Sequence, residues 1–321
     1  MIYRQFALKD SSVYSYAPND NTGLDEILDV GVSDVENSVT RSLICFDKDK
    51  IDEQKLLVDG NYDEFINIHY CNGHNVPSEY TIQLKKLIDS DWSNGLGFQN
   101  TPSTSGINWT QYVANYLSTE TLVDEQNFTI YTDKDLQFDV KDSSTYSFSI
   151  NLKNDTTLKT SSRTLLHFYS KDTNTIFEPV YELRYDDSVY DTTQSASTLT
   201  TEPYVSLTNN SDKLYANNLY RINVSCRERH PTRSFIKNSI FNKRRTLPIT
   251  SWYAIRDLAS GHYLIDFDEN YTKISLDVNG NFFMFNTANL ATNRYYTFDI
   301  KTRINNIDYI FKDNIHFKLL D

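Results

Sequence analysis

Apolar and polar residues alternate with a period of two through most of the chain. That period predicts β-strands, because successive side chains of a strand point to opposite faces. "YDEFINIHYCN" (Tyr62 to Asn72) sets Ile66, Ile68 and Tyr70 against Phe65, Asn67, His69 and Cys71 between Gly60 and Gly73, so it reads as one strand. "EYTIQLKKLI", "FTIYT", "TYSFSINL", "TLLHFYS" and "VYELRYDD" repeat the pattern, separated by polar segments such as "KNDTTLKTSS". "TRSLICFDKD" is different: Leu43 and Cys45 face one way and Ser42, Ile44 and Phe46 the other, and a strand apolar on both faces belongs at the centre of a sheet. Arg41 and Asp47 then mark its two ends, roughly 20 Å apart along an extended chain, too far to pair with each other. Charges placed there meet solvent or cap a neighbouring loop.

Helical spacing shows in two short pieces, Gly23 to Leu28 and "WTQYVANYLST", the latter with Tyr112, Val113, Tyr116 and Leu117 on one face. "DTTQSASTLTTEP" (Asp191 to Pro203) has Leu199 as its one large apolar residue and ends in proline, the composition of a linker. Beyond it strands resume with "NLYRINVSCR", "SWYAIRDL", "TKISLDV", "NFFMFNT" and "RYYTFDIKTRI". "DVNGNF" carries Asn-Gly between two alternating runs, a hairpin signal in which both central positions favour positive φ. About twelve to fifteen short strands in two blocks predict an all-β chain of two β-sandwiches. The expected division is residues 1–190, a linker at 191–203 and residues 204–321, the second block an immunoglobulin-like sandwich.

Composition narrows the function. With 31 Lys and Arg against 43 Asp and Glu the net charge is −12, which argues against a surface that tracks nucleic acid or an anionic membrane. Aromatic residues make up 14%, almost all of them Tyr (23) and Phe (18), types suited to strands and interfaces. Cys45, Cys71 and Cys226 are widely spaced with no CxxC pair, which fits reduced, buried thiols of a protein made in a cytoplasm. "MIYRQFALKDSSVYSY" lacks a basic start followed by an apolar stretch, so neither signal-peptide export nor membrane spanning is expected.

No nucleophile elbow, phosphate-binding loop, dinucleotide fingerprint or H-E-x-x-H pattern is present, so no catalytic residue, cofactor or metal is expected. His69, Cys71 and His74 are ligand types close together, but they lack a fourth partner at zinc spacing. "DFDEN" has oxygen ligands without the D-x-D-x-D-G order of a calcium loop and reads as a solvated strand end. Trp92 and Trp109 are candidate glycan contacts, since an indole face matches the C–H face of a hexose; Trp252 shares the chemistry, and a core role competes for all three. "RERHPTRSFIKNSIFNKRR" concentrates Arg227, Arg229, Arg233, Lys237, Lys243, Arg244 and Arg245 around Phe235 and Phe241 with Glu228 as its single acid. Arginine with aromatics is the composition of interface hot spots, and the stretch is the candidate surface for docking onto an acidic protein neighbour.

With the strands laid out, "KDSSVYSYAPNDNTGLDEILDVG", "TRSLICFDKDKI", "DWSNGLGFQNTPSTSGINW" and "LLHFYSKDTNTIFEPVYELRYDD" follow one another in an order that resembles the DNRLRE type of jelly-roll, carbohydrate-binding-module-like domain. The resemblance covers residues ~1 to 190 and maps onto Asp10, Asn21, Gly31, Phe46, Asp47, Trp92, Gly95, Gly97, Trp109 and Pro179. It implies a jelly-roll sandwich for the first block. "RERHPTRSF", "TLPITSWYAIRD" and "NRYYTFDIKT" in the second block resemble the C-terminal part of tailed-bacteriophage virion proteins that carry the same jelly roll in front. What this implies is a non-enzymatic virion structural protein at the neck or collar, at the head–tail junction, or as capsid decoration or fibre anchor. Its expected partners are other virion proteins (portal, adaptor, capsid or tail proteins) and further copies of itself in a symmetric ring. The alternative is a glycan-binding module that attaches the particle to a host surface. No membrane or nucleic-acid partner is expected.

Overall fold

The computed structural model describes residues 1–33, 38–58, 60–74, 76, 79–99, 103, 105–129, 135–140, 145–157, 164–193, 198–208, 211–230, 245–288, 290–312 and 316–321. The chain is all-β, as its alternation predicts, with strands dominating and two short α-helices among the described residues. It divides into two compact units, Arg4–Leu183 and Arg184–Asp321 with Met1–Tyr3.

The strands up to Tyr185 are β1 (Ile2–Phe6), β2 (Lys9–Tyr14), β3 (Ile27–Val32), β4 (Val39–Cys45), β5 (Tyr62–Ile68), β6 (Tyr70–His74), β7 (Glu79–Lys86), β8 (Thr121–Thr129), β9 (Leu136–Asp139), β10 (Ser147–Leu152), β11 (Leu165–Tyr169) and β12 (Val180–Tyr185). One sheet runs β1-β12-β5-β9, and a larger one runs β6-β11-β3-β4-β10-β7-β8 with β2 also on β4. Between the sheets, Phe46 and Tyr146 meet the Tyr181 ring at centroid distances of 5.9 and 5.6 Å. Every residue of β4 is buried, as a strand apolar on both faces requires. Leu43 and Cys45 join Val13 under a cover made by Leu87, Trp92, Ile107, Tyr112 and Tyr116. That cover includes helix α2 (Trp109–Asn115), started by Asn108, whose Oδ1 accepts from Gln111 N at 3.0 Å. Val113, expected on the buried face of α2, is 40% exposed, because the helix seats on Tyr112 and Tyr116.

Several expectations are corrected. Gly23 to Leu28 is a turn leading into β3, because Ile27 and Leu28 pair with Tyr169 and Phe168 of β11 and leave no room for a helix. A helix the periodicity did not predict, α1 (Lys48–Leu56), buries Ile51 alone, so it shows no apolar stripe and depends on its local chemistry. Asp47 supplies that chemistry as N-cap, accepting from Lys50 N. The single strand foreseen from Tyr62 to Asn72 breaks at His69: β5 belongs to the smaller sheet and β6 to the larger, which makes this segment a sandwich corner. Arg41 does not meet solvent. It is 5% exposed, clamps Asp155 through Nε and Nη2 at 2.8 and 3.1 Å, donates to the Tyr112 hydroxyl at 2.8 Å and lies 3.6 Å from Glu120.

The remaining strands are β13 (Pro203–Thr208), β14 (Lys213–Tyr215), β15 (Leu219–Glu228), β16 (Ser251–Asp257), β17 (Tyr263–Ile265), β18 (Ser275–Asp277), β19 (Gly280–Asn286), β20 (Tyr295–Ile304), β21 (Ile307–Phe311) and β22 (His316–Leu320). They form two sheets, β13-β15-β19-β18 and β14-β22-β20-β16-β17 with β21 on β20. Val205, Ile222, Val224, Phe283 and Phe285 of the first sheet share a core with Tyr253, Ile255, Phe298, Ile300 and Phe317 of the second. Stacked pairs at 4.1 Å (Tyr253–Phe283) and 4.6 Å (Phe298–Phe317) and an edge-on pair at 5.2 Å (Phe285–Phe298) show where the phenylalanines are used.

The expected linker is part of this unit. Residues 194–197 lie outside the described residues, but Asp191 N donates to Leu276 O, Leu199 N donates to Thr246 O, and Leu199 is 3% exposed, so the one large apolar residue of Asp191 to Pro203 is an anchor. The predicted hairpin forms one residue earlier than Asn-Gly suggested. Asp277 pairs with Gly280 across Val278 and Asn279, and the Asp277 carboxylate accepts from the backbone N–H groups of Asn279 and Gly280. Cys45 and Cys226 are buried, one in each unit, and Cys71 is half-buried.

Candidate functional site

Asn21 is fully buried and organises a clasp. Its Nδ2 donates to the carbonyls of Asn94 and Ile107, both at 2.8 Å, and its Oδ1 accepts from Gly97 N at 3.0 Å and Gly23 N at 3.2 Å. Asn94 continues the network, accepting from Asp10 N at 2.8 Å and donating to Gly23 O. The glycines of "NGLG" follow from this crowding. A Cβ on Gly97 would lie 1.9 Å from the Asn21 carbonyl oxygen, and one on Gly95, where φ is +81°, would lie 2.2 Å from Asn21 Oδ1. Asp10 is nearly buried, accepts from Lys171 N at 2.6 Å, and has its pKa pushed up to about 7 by burial.

The clasp fixes the loop after Trp92. Leu24 N donates to Gly97 O, and Gln99 N donates to both carboxylate oxygens of Asp25 at 3.1 and 3.2 Å. Leu96 and Phe98 are consequently held outward, 72% and 46% exposed. Gln99 brings the loop to the rim of a cleft of about 330 Å³ lined by Asp25, Glu26, Ile27, Asp29, Asn72, Gln99 and His167.

The cleft rests on three neighbouring strands, because His167 of β11 is registered with Asp29 of β3 on one side and Asn72 of β6 on the other. Asp29 is 5% exposed and preset by its neighbours: Oδ1 lies 2.5 Å from His167 Nδ1, and Oδ2 accepts from the Tyr14 hydroxyl at 2.8 Å and from Gln99 Nε2 at 3.5 Å. The hydrogen bond to Asp29 raises the His167 pKa above its ordinary value, and burial raises that of Asp25. Tyr16, half-exposed, packs edge-on against Tyr14 at 5.4 Å. The alternation of "TLLHFYS" places His167 in a strand, whereas Asp29 directly follows the segment expected to be helical, and nothing local signals that the two meet, since 138 residues separate them.

The residues singled out from sequence fare differently. Trp92 is 4% exposed and donates its indole N–H to Ser147 Oγ at 2.8 Å, with the Lys9 ammonium 5.4 Å from the ring. A ring sealed in this way offers no face to a hexose, so the expectation of stacking at Trp92 gives way to a core role. Trp109 is half-buried against the same cluster, tilted on Tyr112 at 5.8 Å. Arg227 lies over the Tyr204 ring at 4.5 Å, Arg229 pairs with Glu202 and Arg245 with Glu228, both at 2.5 Å. Arg233, Phe235, Lys237, Phe241, Lys243 and Arg244 lie outside the described residues. His69 Nδ1 is 3.0 Å from Asp135, and the described residues contain no group of three or more His, Cys, Asp or Glu placed to hold a metal. No described helix is long and apolar enough to cross a membrane.

No protein-family model matches the chain, and no curated protein does. Among solved structures it is similar to a truncated AlyQ with CBM32 and alginate lyase domains, at 10% identity over 97% of this chain and 80% of that one, with a TM-score of 0.27. A DUF4785 family protein from Legionella pneumophila subsp. pneumophila strain Philadelphia 1 matches at 10% identity over 99% of this chain and 62% of that one, with a TM-score of 0.17. Bacteroides uniformis β-glucuronidase 2 matches at 9% over 97% and 32%, with a TM-score of 0.21. Similarity at this level fixes neither family nor activity.

Proposed function

We propose that the chain is a non-enzymatic structural protein of a tailed-phage virion that works by protein–protein contact. Its place is the neck or collar at the head–tail junction, or a capsid decoration or fibre anchor. The observation that carries this reading is the clasped loop: Leu96 and Phe98 are kept in water on a rigid support, and apolar side chains fixed in that way are what a partner surface covers. Leu56 and Leu57 at the end of α1, 87% and 75% exposed, supply a second apolar point. The resemblance of "RERHPTRSF" and "NRYYTFDIKT" to phage virion proteins supports the particle as the setting, with portal, adaptor, capsid or tail proteins and further copies of the chain as neighbours. A stable contact of this kind buries on the order of 1,200 Å² or more. Mass spectrometry of purified particles tests the setting. Light scattering of the chain and of a Leu96→Asp, Phe98→Asp double variant tests the contact: the wild type forms a defined oligomer and the variant a monomer. A wild-type monomer absent from particles would sink the proposal.

A second reading, glycan binding, is favoured by the cleft itself. Asp29, Asn72, Gln99 and His167 converge on a space of about 330 Å³, a size that accommodates a small ligand, with the half-exposed Tyr16 ring in the same cluster.

A further inference from the structure

We propose that the cleft at Asp29 and His167 selects a saccharide that carries a free amine, seating its ammonium among Asp25, Glu26 and Asp29 and its hydroxyls on Asn72, Gln99 and His167. This rests on the glycan-binding reading and adds the chemical class of the sugar.

The argument is an inventory of donors and acceptors. Carboxylates accept and cannot donate, and three of the seven lining residues are carboxylates. Gln99 commits its backbone N–H to Asp25 and one of its two side-chain N–H groups to Asp29, which leaves its carbonyl oxygen as a further acceptor beside the second N–H. With His167 Nδ1–H turned to Asp29, the ring's remaining nitrogen accepts when the ring is neutral and donates when it is protonated, the form the Asp29 hydrogen bond favours. Asn72 adds both a donor and an acceptor. A wall so rich in acceptors matches a ligand rich in donors, and an ammonium flanked by hydroxyls supplies more N–H and O–H groups than a uronic acid or an acetylated amine of the same size.

The acceptors are also preset. Tyr14, Gln99 and His167 hold Asp29, and the Gln99 backbone holds Asp25, so these carboxylates need no reordering to receive a cation. A carboxylate ligand would instead meet three charges of its own sign with one imidazole to offset them.

Calorimetric titration of the full chain near neutral pH, with a glucosamine oligomer, its N-acetylated counterpart and an oligouronate, tests the proposal. The glucosamine oligomer is expected to bind at least about tenfold more tightly than the acetylated one, and the oligouronate not at all. Glu26→Gln, at an exposed residue where glutamine's carbonyl can still accept from Asn174, should weaken glucosamine binding several-fold, and Asp29→Asn should abolish it. Glu125→Gln, far from the cleft in sequence and on β8, should have no effect.

Three outcomes overturn the proposal. If the acetylated oligomer binds as well or better and Asn72→Ala weakens it, glycan binding stands and amine selection fails. If Glu125→Gln weakens binding as much as Glu26→Gln, the attraction is the diffuse field of an acidic chain. If none of the three sugars binds, the glycan reading and the amine selection fail together.

Discussion

The cover over the outer face of β4 and the core of the C-terminal unit solve the same problem with different materials. In the C-terminal unit, Tyr253, Phe283, Phe285, Phe298 and Phe317 fill the space between two sheets by stacking, and any aromatic of similar volume serves nearly as well. Over β4, Trp92, Tyr112 and Ile107 are laced to the sheet by polar ties: Arg41 to Asp155 and Tyr112, the Trp92 indole to Ser147, Asn21 to the loop that follows. Packing tolerates exchange, whereas a buried polar network fails when one member is removed, because the partners left behind stay buried and unsatisfied.

That contrast is sharpest at Arg41. Arg41→Ala strands the nearly buried Asp155 and takes one of two cations from Glu120, which keeps Lys85 at 3.5 Å, and is expected to cost about 3 to 5 kcal/mol in urea denaturation followed by tryptophan fluorescence. The conservative core change Phe298→Leu should cost less than half as much; if it costs more, the contrast is wrong. Asn21→Ala comes next. It orphans the Gly97 N–H and two carbonyls and should cost about 2 to 4 kcal/mol, with proteolysis appearing first in the loop at residues 94–99.

Asp10 tests the same region through pH. Its pKa of about 7 in the fold lies above the ordinary carboxyl value of 3.8, so between those values the native chain holds a proton that the unfolded chain has released. Stability contributed by this group is therefore full below about pH 4 and declines as pH rises toward 7. Asp10→Asn should match the wild type near pH 4 and exceed it by about 1 to 3 kcal/mol at pH 8. The smallest effect belongs to Asp47→Ala, which removes one helix cap for about 1 kcal/mol and leaves the clasp loop unchanged by proteolysis.

The same contrast explains what the sequence discloses. Hydrophobic periodicity is a local signal: period two located many of the strands and the two-faced burial of β4, and helical spacing located the helix at Trp109, from a few residues each. Polar ties are non-local. Nothing near Arg41 announces Asp155, and nothing near Asp29 announces His167, because partners 114 and 138 residues away are supplied by topology. Helix α1 escaped for the opposite reason: with Ile51 as its one buried residue there was no apolar stripe to detect, and the signal lay in Asp47 alone. Of the residues the resemblance singled out, Asn21, Gly95 and Gly97 build the clasp that carries Gln99 to the rim of the cleft and Trp92 packs in the core over β4, while the residues lining the cleft were passed over.

The placement of sulfur gives an internal clock for motion. Each unit seals one thiol, Cys45 in the first and Cys226 in the second, while Cys71 sits half in reach of solvent. A disulfide reagent should therefore modify Cys71 at once and the other two at the rates at which their own sandwiches breathe. Mass-resolved labelling would read the opening of both halves separately in a single sample without altering a residue.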